Sequence, residues 1–378
     1  MRFLDVLTIA FLHFFLAGAT GAAQLSKNDP RTHGPFWLSS TMSGESVLFI
    51  RSDQDPPKAS LLFRPSRILK VTSSSGEVSY SEGQDYTWKP GTREISLTSQ
   101  SRIVFKTPQD LRRPAKSQRY VLAHRDGMGE IYFGGGHEYH DIQTLVTYEH
   151  DNDIWAGPSV SFAGNQLPRT IRKLSQERAL VVALLGDSIS TGCNASGWAQ
   201  TSPFQPPYQD LFTRNLELAY GAKVELKNLS VGGTDTVWGI KNIEKVIEAA
   251  PDLVLLAFGM NDSHRRPTQE YQANIRAMID AVRQVHADCE FILIAPMLGN
   301  PDWTALHQEW FPEYRDALKQ LTQTGITVAD LTSVWIEMLK HKQYWDLTGN
   351  GVNHPNDFGH RIYAQVLTSL LVRSPSNR

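Results

Sequence analysis

Hydrophobic positions along the chain change rhythm once, near residue 180. From 45 to 150 apolar, aromatic and β-branched residues come in short runs, at 47–50, 60–63, 94–98, 119–122 and 144–148. Turn clusters such as Pro90-Gly91, Asp126-Gly127 and Gly134-Gly135-Gly136 separate them. Short runs of that composition between turn residues read as strands, and residues 24–150 read as an all-β sandwich. From 180 onward apolar runs of strand length at 181–185, 224–229, 253–258 and 291–295 alternate with helical patterns near 207–220, 237–249, 268–285 and 304–322. Strands separated by helices of that length imply right-handed parallel crossovers, hence an α/β domain built on a doubly wound parallel sheet over 180–378. Residues 151–179, rich in Gly, Pro and charge with a helix-like piece at 170–177, read as the linker.

The first residues stand apart. Arg2, an apolar run from Val6 to Ala17 and small residues up to Ala23 predict a secretory signal peptide over 1–23, and so a secreted or periplasmic protein with no stable membrane insertion once the leader is removed. The run is short for a membrane span.

Composition narrows the function classes. With 41% hydrophobic and 20% charged residues the 378-residue chain has the makeup of a soluble globular protein, and a formal net charge of -2 gives no electrostatic reason to expect nucleic acid as a partner. Cys193 follows the C-terminal end of one strand and Cys289 precedes another, which puts them at opposite edges of a parallel sheet and predicts that they are unpaired. His137-Glu138-Tyr139-His140-Asp141 lacks the spacing of a zinc-protease motif; placed on a strand it reads as a surface or interface patch, and no metal or cofactor is expected.

The candidate chemistry sits at strand ends. Gly186-Asp187-Ser188 follows the first strand of the α/β half, Asn228 to Gly233 the second, and Gly259-Met260-Asn261-Asp262 the third, while Asn353-His354-Pro355 opens the last helical pattern, with Pro355 suited to its first position. Ligands bind outside the carboxyl ends of such strands. A serine hydroxyl needs a base to take its proton, and histidine fills that role near neutral pH, so Ser188 and His354 are the candidate catalytic pair. The N–H groups of Ser188 and Gly233 and the side-chain amide of Asn261 are candidate donors to an oxyanion.

In these four blocks the chain resembles the SGNH or GDSL-type hydrolases, over about 200 residues from Leu180 to the C-terminus. The resemblance implies a flavodoxin-like sheet, Ser188 as nucleophile, His354 as base, Ser188, Gly233 and Asn261 as oxyanion donors, and a structural role for Asp187. One position departs from the family: aspartate usually stands three residues before the histidine, and here Gly351 does. A backbone carbonyl, Asp346, Asn350 or Asn353 is then the candidate to hold the imidazole, while Asp357 suits the helix N-terminus.

The order of a β-sandwich before a hydrolase domain also resembles the two-domain carbohydrate acetyl esterases, some of which work with a Ser-His dyad. That likeness implies a small-molecule or polysaccharide ester as substrate, with Trp198, Trp238 and Trp303 as candidates to stack on sugar rings, or else as packing residues. His264 is a candidate to line the pocket, or a solvated loop histidine. Asn194, Asn228 and Asn261 each begin a glycosylation sequon inside or beside the catalytic blocks, where a glycan would obstruct the site. An exported esterase removing O-acetyl groups from carbohydrate is the leading expectation. A lipid or thioester hydrolase, or a carbohydrate-binding protein with an inactive hydrolase domain, are the alternatives.

Overall fold

The computed structural model describes residues 34–151 and 153–373; the expected leader at 1–23 lies outside them. In the C-terminal half five parallel strands, β1 (Ala179–Gly186), β2 (Lys223–Asn228), β3 (Leu253–Ala257), β4 (Glu290–Ala295) and β5 (Ile326–Asp330), lie in the order β2-β1-β3-β4-β5. The helices are α1 (Tyr208–Tyr220), α2 (Thr236–Asn242), α3 (Thr268–Val285), α4 (Trp310–Lys319), α5 (Leu331–Met338) and α6 (Asp357–Leu371).

Alternate side chains of β1, β3 and β4 enter two separate cores. Val182, Leu184, Leu255 and Ile292 pack with α1, α5 and α6, whereas Ala183, Leu185, Val254 and Phe291 pack with α3 and α4. A sheet covered on both faces needs apolar residues on both, which is why these strands are continuous hydrophobic runs rather than alternating ones. The doubly wound α/β fold is as expected. β5 and α5 are additional to the expected elements, and residues 237–249 form two short helices, α2 and Glu244–Glu248, instead of one. Helix α6 begins two residues later than expected: Asn356 is its N-cap, its side chain accepting from Gly359 N–H at 3.0 Å, so Pro355 precedes the cap.

The N-terminal half is antiparallel β. One sheet orders Thr41–Val47, Thr144–Glu149, Arg67–Ser73 and Ser79–Tyr80; another carries Tyr86–Trp88, Glu94–Leu97, Lys58–Ser60, Phe49–Ile50 and Phe105–Lys106, the last two parallel. Residues 119–122 form no strand. They belong to a segment that crosses to the other half, where Thr304 N–H donates to Ala123 O at 3.1 Å and Arg125 N–H to Asp302 O at 2.7 Å. Residues 138–142 are likewise a short helix rather than a strand, with His137 and Asp141 paired at 2.7 Å on the surface and Tyr139 buried.

The two halves share one hydrophobic core, which runs from Phe36 and Phe63 to Trp335 and Leu367. Polar ties cross it. The buried Lys342 ammonium donates to Glu45 at 2.5 Å, to Ser46 O at 2.9 Å and to Ser60 O at 3.0 Å. Asn356 Nδ2 donates to Ser46 Oγ and to Gln143 Oε1, both at 3.0 Å. Buried charge tolerates such a position only when fully partnered. Cys193 and Cys289 are both free thiols.

Candidate active site

The sheet reverses direction of winding at β1, with β2 on one side and β3 on the other, and a crevice opens at the carboxyl ends there. Ser188 stands two residues beyond β1. Gly186 makes the sharp exit feasible, because a Cβ at that position would lie 2.5 Å from Ala257 O. Asp187 folds the turn, accepting from Ile189 N–H at 2.9 Å; burial raises its pKa to about 7, with Asp262 adding to the rise. Its hydrogen bond is to the backbone and not to the histidine, so it shapes the turn that carries Ser188.

His354 comes from the loop before α6. Its Nε2 lies 2.8 Å from Ser188 Oγ, across 166 positions of sequence. The loop is folded around Asn350, whose Oδ1 accepts from the N–H groups of Val352, Asn353 and His354 at 2.8, 2.9 and 3.1 Å. Asn350 Nδ2 in turn donates to Asn353 Oδ1 at 3.0 Å. Neither asparagine hydrogen-bonds to the imidazole. Asp346 is further removed: its carboxylate accepts from Leu48 N–H at 2.7 Å and Gln343 N–H at 2.8 Å, beside Lys342. Asp346 and Asn350 therefore serve the backbone, and the Asn353 side chain pairs with Asn350. The atom that meets His354 Nδ1 is Asn194 Oδ1, at 2.6 Å.

The glycine at the family's aspartate position has a physical explanation. Gly351 has φ +84°, and a Cβ there would stand 2.5 Å from Tyr132 O and closer still to Tyr139 Oη. The N-terminal half occupies the space an acidic side chain would need.

The three residues with candidate donors line the same crevice. The N–H groups of Ser188 and Gly233 donate to no acceptor among the described residues. Gly233, at φ +78°, has open space where a Cβ would be, which leaves its N–H approachable. Asn261 spends one amide hydrogen on Thr234 O at 2.8 Å and lines the pocket with the rest of the group. The turn carrying it is tied to α2 by Asp262, which accepts from Thr236 N–H at 3.0 Å and Gly259 N–H at 3.1 Å; burial pushes that carboxyl up to about 6.

Burial lowers the His354 pKa to about 3, and the neighbouring His360 adds to the effect. Burial thus favours the neutral imidazole. A neutral imidazole accepting from a serine hydroxyl, beside unengaged N–H donors, is equipped for acyl transfer.

The pocket above these atoms holds about 580 Å³. The N-terminal half supplies one wall, through Arg119, Tyr120, Val121 and Phe133, and the other half supplies Trp198 and Trp303. Segment 119–122, expected as a strand, is therefore part of the site, a role no local pattern announces. Trp238 lies elsewhere: it packs against the core that α3 and α4 cover, with Lys245 over its ring at 5.9 Å. His264 sits behind the wall, edge-on to Trp303 at 4.7 Å, and burial lowers its pKa. The sequon amides of Asn194, Asn228 and Asn261 each donate to a main-chain carbonyl, Gly136, Ser190 and Thr234 respectively, so the nitrogen that would carry a glycan is engaged.

Residues 184–362 match the model of the GDSL-like Lipase/Acylhydrolase family. No curated protein matches the chain. Solved structures similar to it include the lipase Lip_vut3 from a goat rumen metagenome, 19% identical over 51% of this chain and 99% of that one, TM-score 0.42. The lipase/acylhydrolase of Enterococcus faecalis is 22% identical over 50% of this chain and 93% of that one, TM-score 0.40. The psychrotrophic esterase EstA of a Pseudoalteromonas species is 16% identical over 50% and 93%, TM-score 0.36. Over residues 184–362, the C-terminal half of the chain thus carries a GDSL-like lipase/acylhydrolase domain.

Proposed function

We infer that this protein is an exported serine esterase that removes short acyl groups, foremost O-acetyl, from carbohydrate. The observation that carries the reading is the 2.8 Å contact between His354 Nε2 and Ser188 Oγ on the floor of an aromatic-walled pocket. In the first step the Ser188 oxygen attacks the ester carbonyl carbon while His354 Nε2 takes its proton. The carbonyl oxygen, now negative, is held by the N–H groups of Ser188 and Gly233 and by the Asn261 amide. The tetrahedral intermediate collapses as His354 returns the proton to the departing sugar oxygen, which leaves an acyl-serine. Water, deprotonated by the same nitrogen, attacks the acyl carbon, and the second tetrahedral intermediate collapses as His354 returns that proton to Ser188 Oγ, which releases the carboxylic acid and restores the serine.

The choice of carbohydrate rests on the walls. Tyr120, Phe133, Trp198 and Trp303 line the pocket together with polar residues such as Asn194 and Asn353, a mixture that suits the alternating apolar and hydroxylated surface of a sugar ring. Export rests on the leader-like residues 1–23. Fluorophosphonate labelling of the purified protein tests the enzyme reading: a single adduct on Ser188 is expected, and a folded protein that takes no label would favour a carbohydrate binder. Comparing acetylated polysaccharide with aryl esters of rising chain length tests the substrate; a preference for long acyl chains would replace the carbohydrate reading with lipid or thioester hydrolysis.

Two further results follow. Asn261→Ala should lower kcat by about 10²–10³, since one oxyanion donor is typically worth that much, with only a small fall in melting temperature from the lost bond to Thr234 O. The second concerns pH. His354 acts only when unprotonated, and because its pKa lies below the ordinary 6.5, the fall of kcat/KM on acidification should come well below pH 6.5. An inflection at or above pH 6.5 in a profile on p-nitrophenyl acetate would show that the imidazole is not held neutral in the way described.

A further inference from the structure

Asn194 is not among the family's four blocks, yet it is fixed on every side. Its backbone has φ +63°, a left-handed conformation that asparagine tolerates better than most residues, and its side chain is buried. Its Oδ1 meets His354 Nδ1 at 2.6 Å. Its Nδ2 points the opposite way, donating to Gly136 O at 2.8 Å and lying 3.5 Å from Gly134 O. Those carbonyls belong to the N-terminal half, on a stretch of chain held in turn by Gly134 N–H donating to Asn350 O at 3.1 Å.

The polarity of this arrangement matters more than its presence. An amide has an accepting end and a donating end, and only a donor can face two carbonyl oxygens. The nitrogen of Asn194 is therefore assigned to the Gly134–Gly136 side and its oxygen to the ring. An oxygen there requires Nδ1 to carry the ring hydrogen, which leaves the lone pair on Nε2, 2.8 Å from the Ser188 hydroxyl. In the serine-protease template, asparagine in place of the orienting aspartate costs about 10⁴ in rate because the wrong tautomer results. An amide free to turn can offer its NH₂ to the ring; here the NH₂ is already committed.

We propose that Asn194 is the positioning residue for His354, and that the main-chain carbonyls of Gly134 and Gly136 lock its amide so that the imidazole keeps the tautomer that can accept the Ser188 proton. The N-terminal half thereby takes part in the chemistry without touching the substrate's ester. A carboxylate at position 194 would set a negative oxygen against the Gly136 carbonyl, so the amide is the side chain that satisfies both ends. The proposal deepens the esterase reading and rests on it, since a tautomer matters only if His354 serves as base.

Two measurements on the full chain test it. In ring nitrogen–proton correlation spectra of the wild-type protein, with the His354 signal assigned by its loss in His354→Gln, Nδ1 should be protonated and Nε2 unprotonated. The opposite tautomer overturns the proposal whether or not any variant folds. Asn194→Leu keeps the side chain's approximate shape and removes both polar ends; it should lower kcat on p-nitrophenyl acetate by between about 10² and 10⁴ while KM changes little, and the ring should lose its single tautomer. Wild-type kcat in this variant would overturn the assignment. Wild-type protein that shows the expected tautomer but neither turns over esters nor labels with a fluorophosphonate would instead refute the esterase reading, so the two failures are distinguishable.

Discussion

Ser188→Ala is expected to reduce kcat on p-nitrophenyl acetate by about 10⁶, the scale on which loss of the nucleophile costs a serine hydrolase. The size follows from what remains. The Ser188 Oγ makes one side-chain hydrogen bond, to His354 Nε2, and without it the imidazole has no proton to take except from water. The N–H donors of Ser188 and Gly233 are main-chain groups and survive the substitution, so a residual rate above the uncatalysed one should persist. Folding should be nearly unaffected, because removal of one oxygen from the pocket floor leaves the core intact. Melting temperature, kcat and fluorophosphonate labelling measured together separate this outcome from unfolding. A rate within tenfold of wild type, in a protein that melts normally, would remove Ser188 from the chemistry.

Gly351→Asp should fail to create a stronger triad and should instead destabilise the protein by roughly 4 kcal/mol or more. Three costs add. The residue would adopt φ +84°, where a β-carbon is strained, and its Cβ would overlap Tyr132 O and the Tyr139 hydroxyl. A carboxyl group would also enter a buried site whose main-chain oxygen already accepts from Asn300 Nδ2 at 2.7 Å. At roughly 1–2 °C per kcal/mol for a chain of this size, the melting temperature should fall by about 5 °C or more. Activity per folded molecule should fall too, since displacement of the Tyr132–Gly136 segment disturbs the carbonyls that face Asn194. A variant that melts like wild type and hydrolyses faster would show that an acidic side chain can be accommodated and can orient the ring.

The contrast between these two positions marks what local pattern can carry. Ser188, Gly233, Asn261 and His354 are legible because each follows an apolar run or opens a helix, and parallel topology brings the ends of such runs to one edge. Helix α3 is equally clear, since its apolar residues recur at helical spacing over eighteen positions between Pro267 and His286. The strand β5 is not, being five residues with polar residues among them, on the edge of the sheet. Asn194 carries no signal of its own: the amide lies in a turn, and everything that gives it a role arrives from 60 or 160 residues away. Gly351 announces that the usual aspartate is missing. It cannot announce that Tyr132 and Tyr139 fill that space, because packing between distant segments leaves no periodic trace. Residues 119–122 resemble a strand for the same reason that they make a good pocket wall: aromatic and β-branched side chains serve both purposes. Trp238 and His264 show the converse, with residue types suited to a binding site placed by the fold in supporting positions.

Lys342 finds its acceptors at Glu45, Ser46 and Ser60, nearly three hundred residues earlier in the chain. A ribosome produces those oxygens long before the ammonium that they will surround. A chain that ended before that lysine would leave the Glu45 carboxylate and the carbonyls of Ser46 and Ser60 without the ammonium that joins them, so the N-terminal sheets depend on the far end of the chain to satisfy their own buried oxygens.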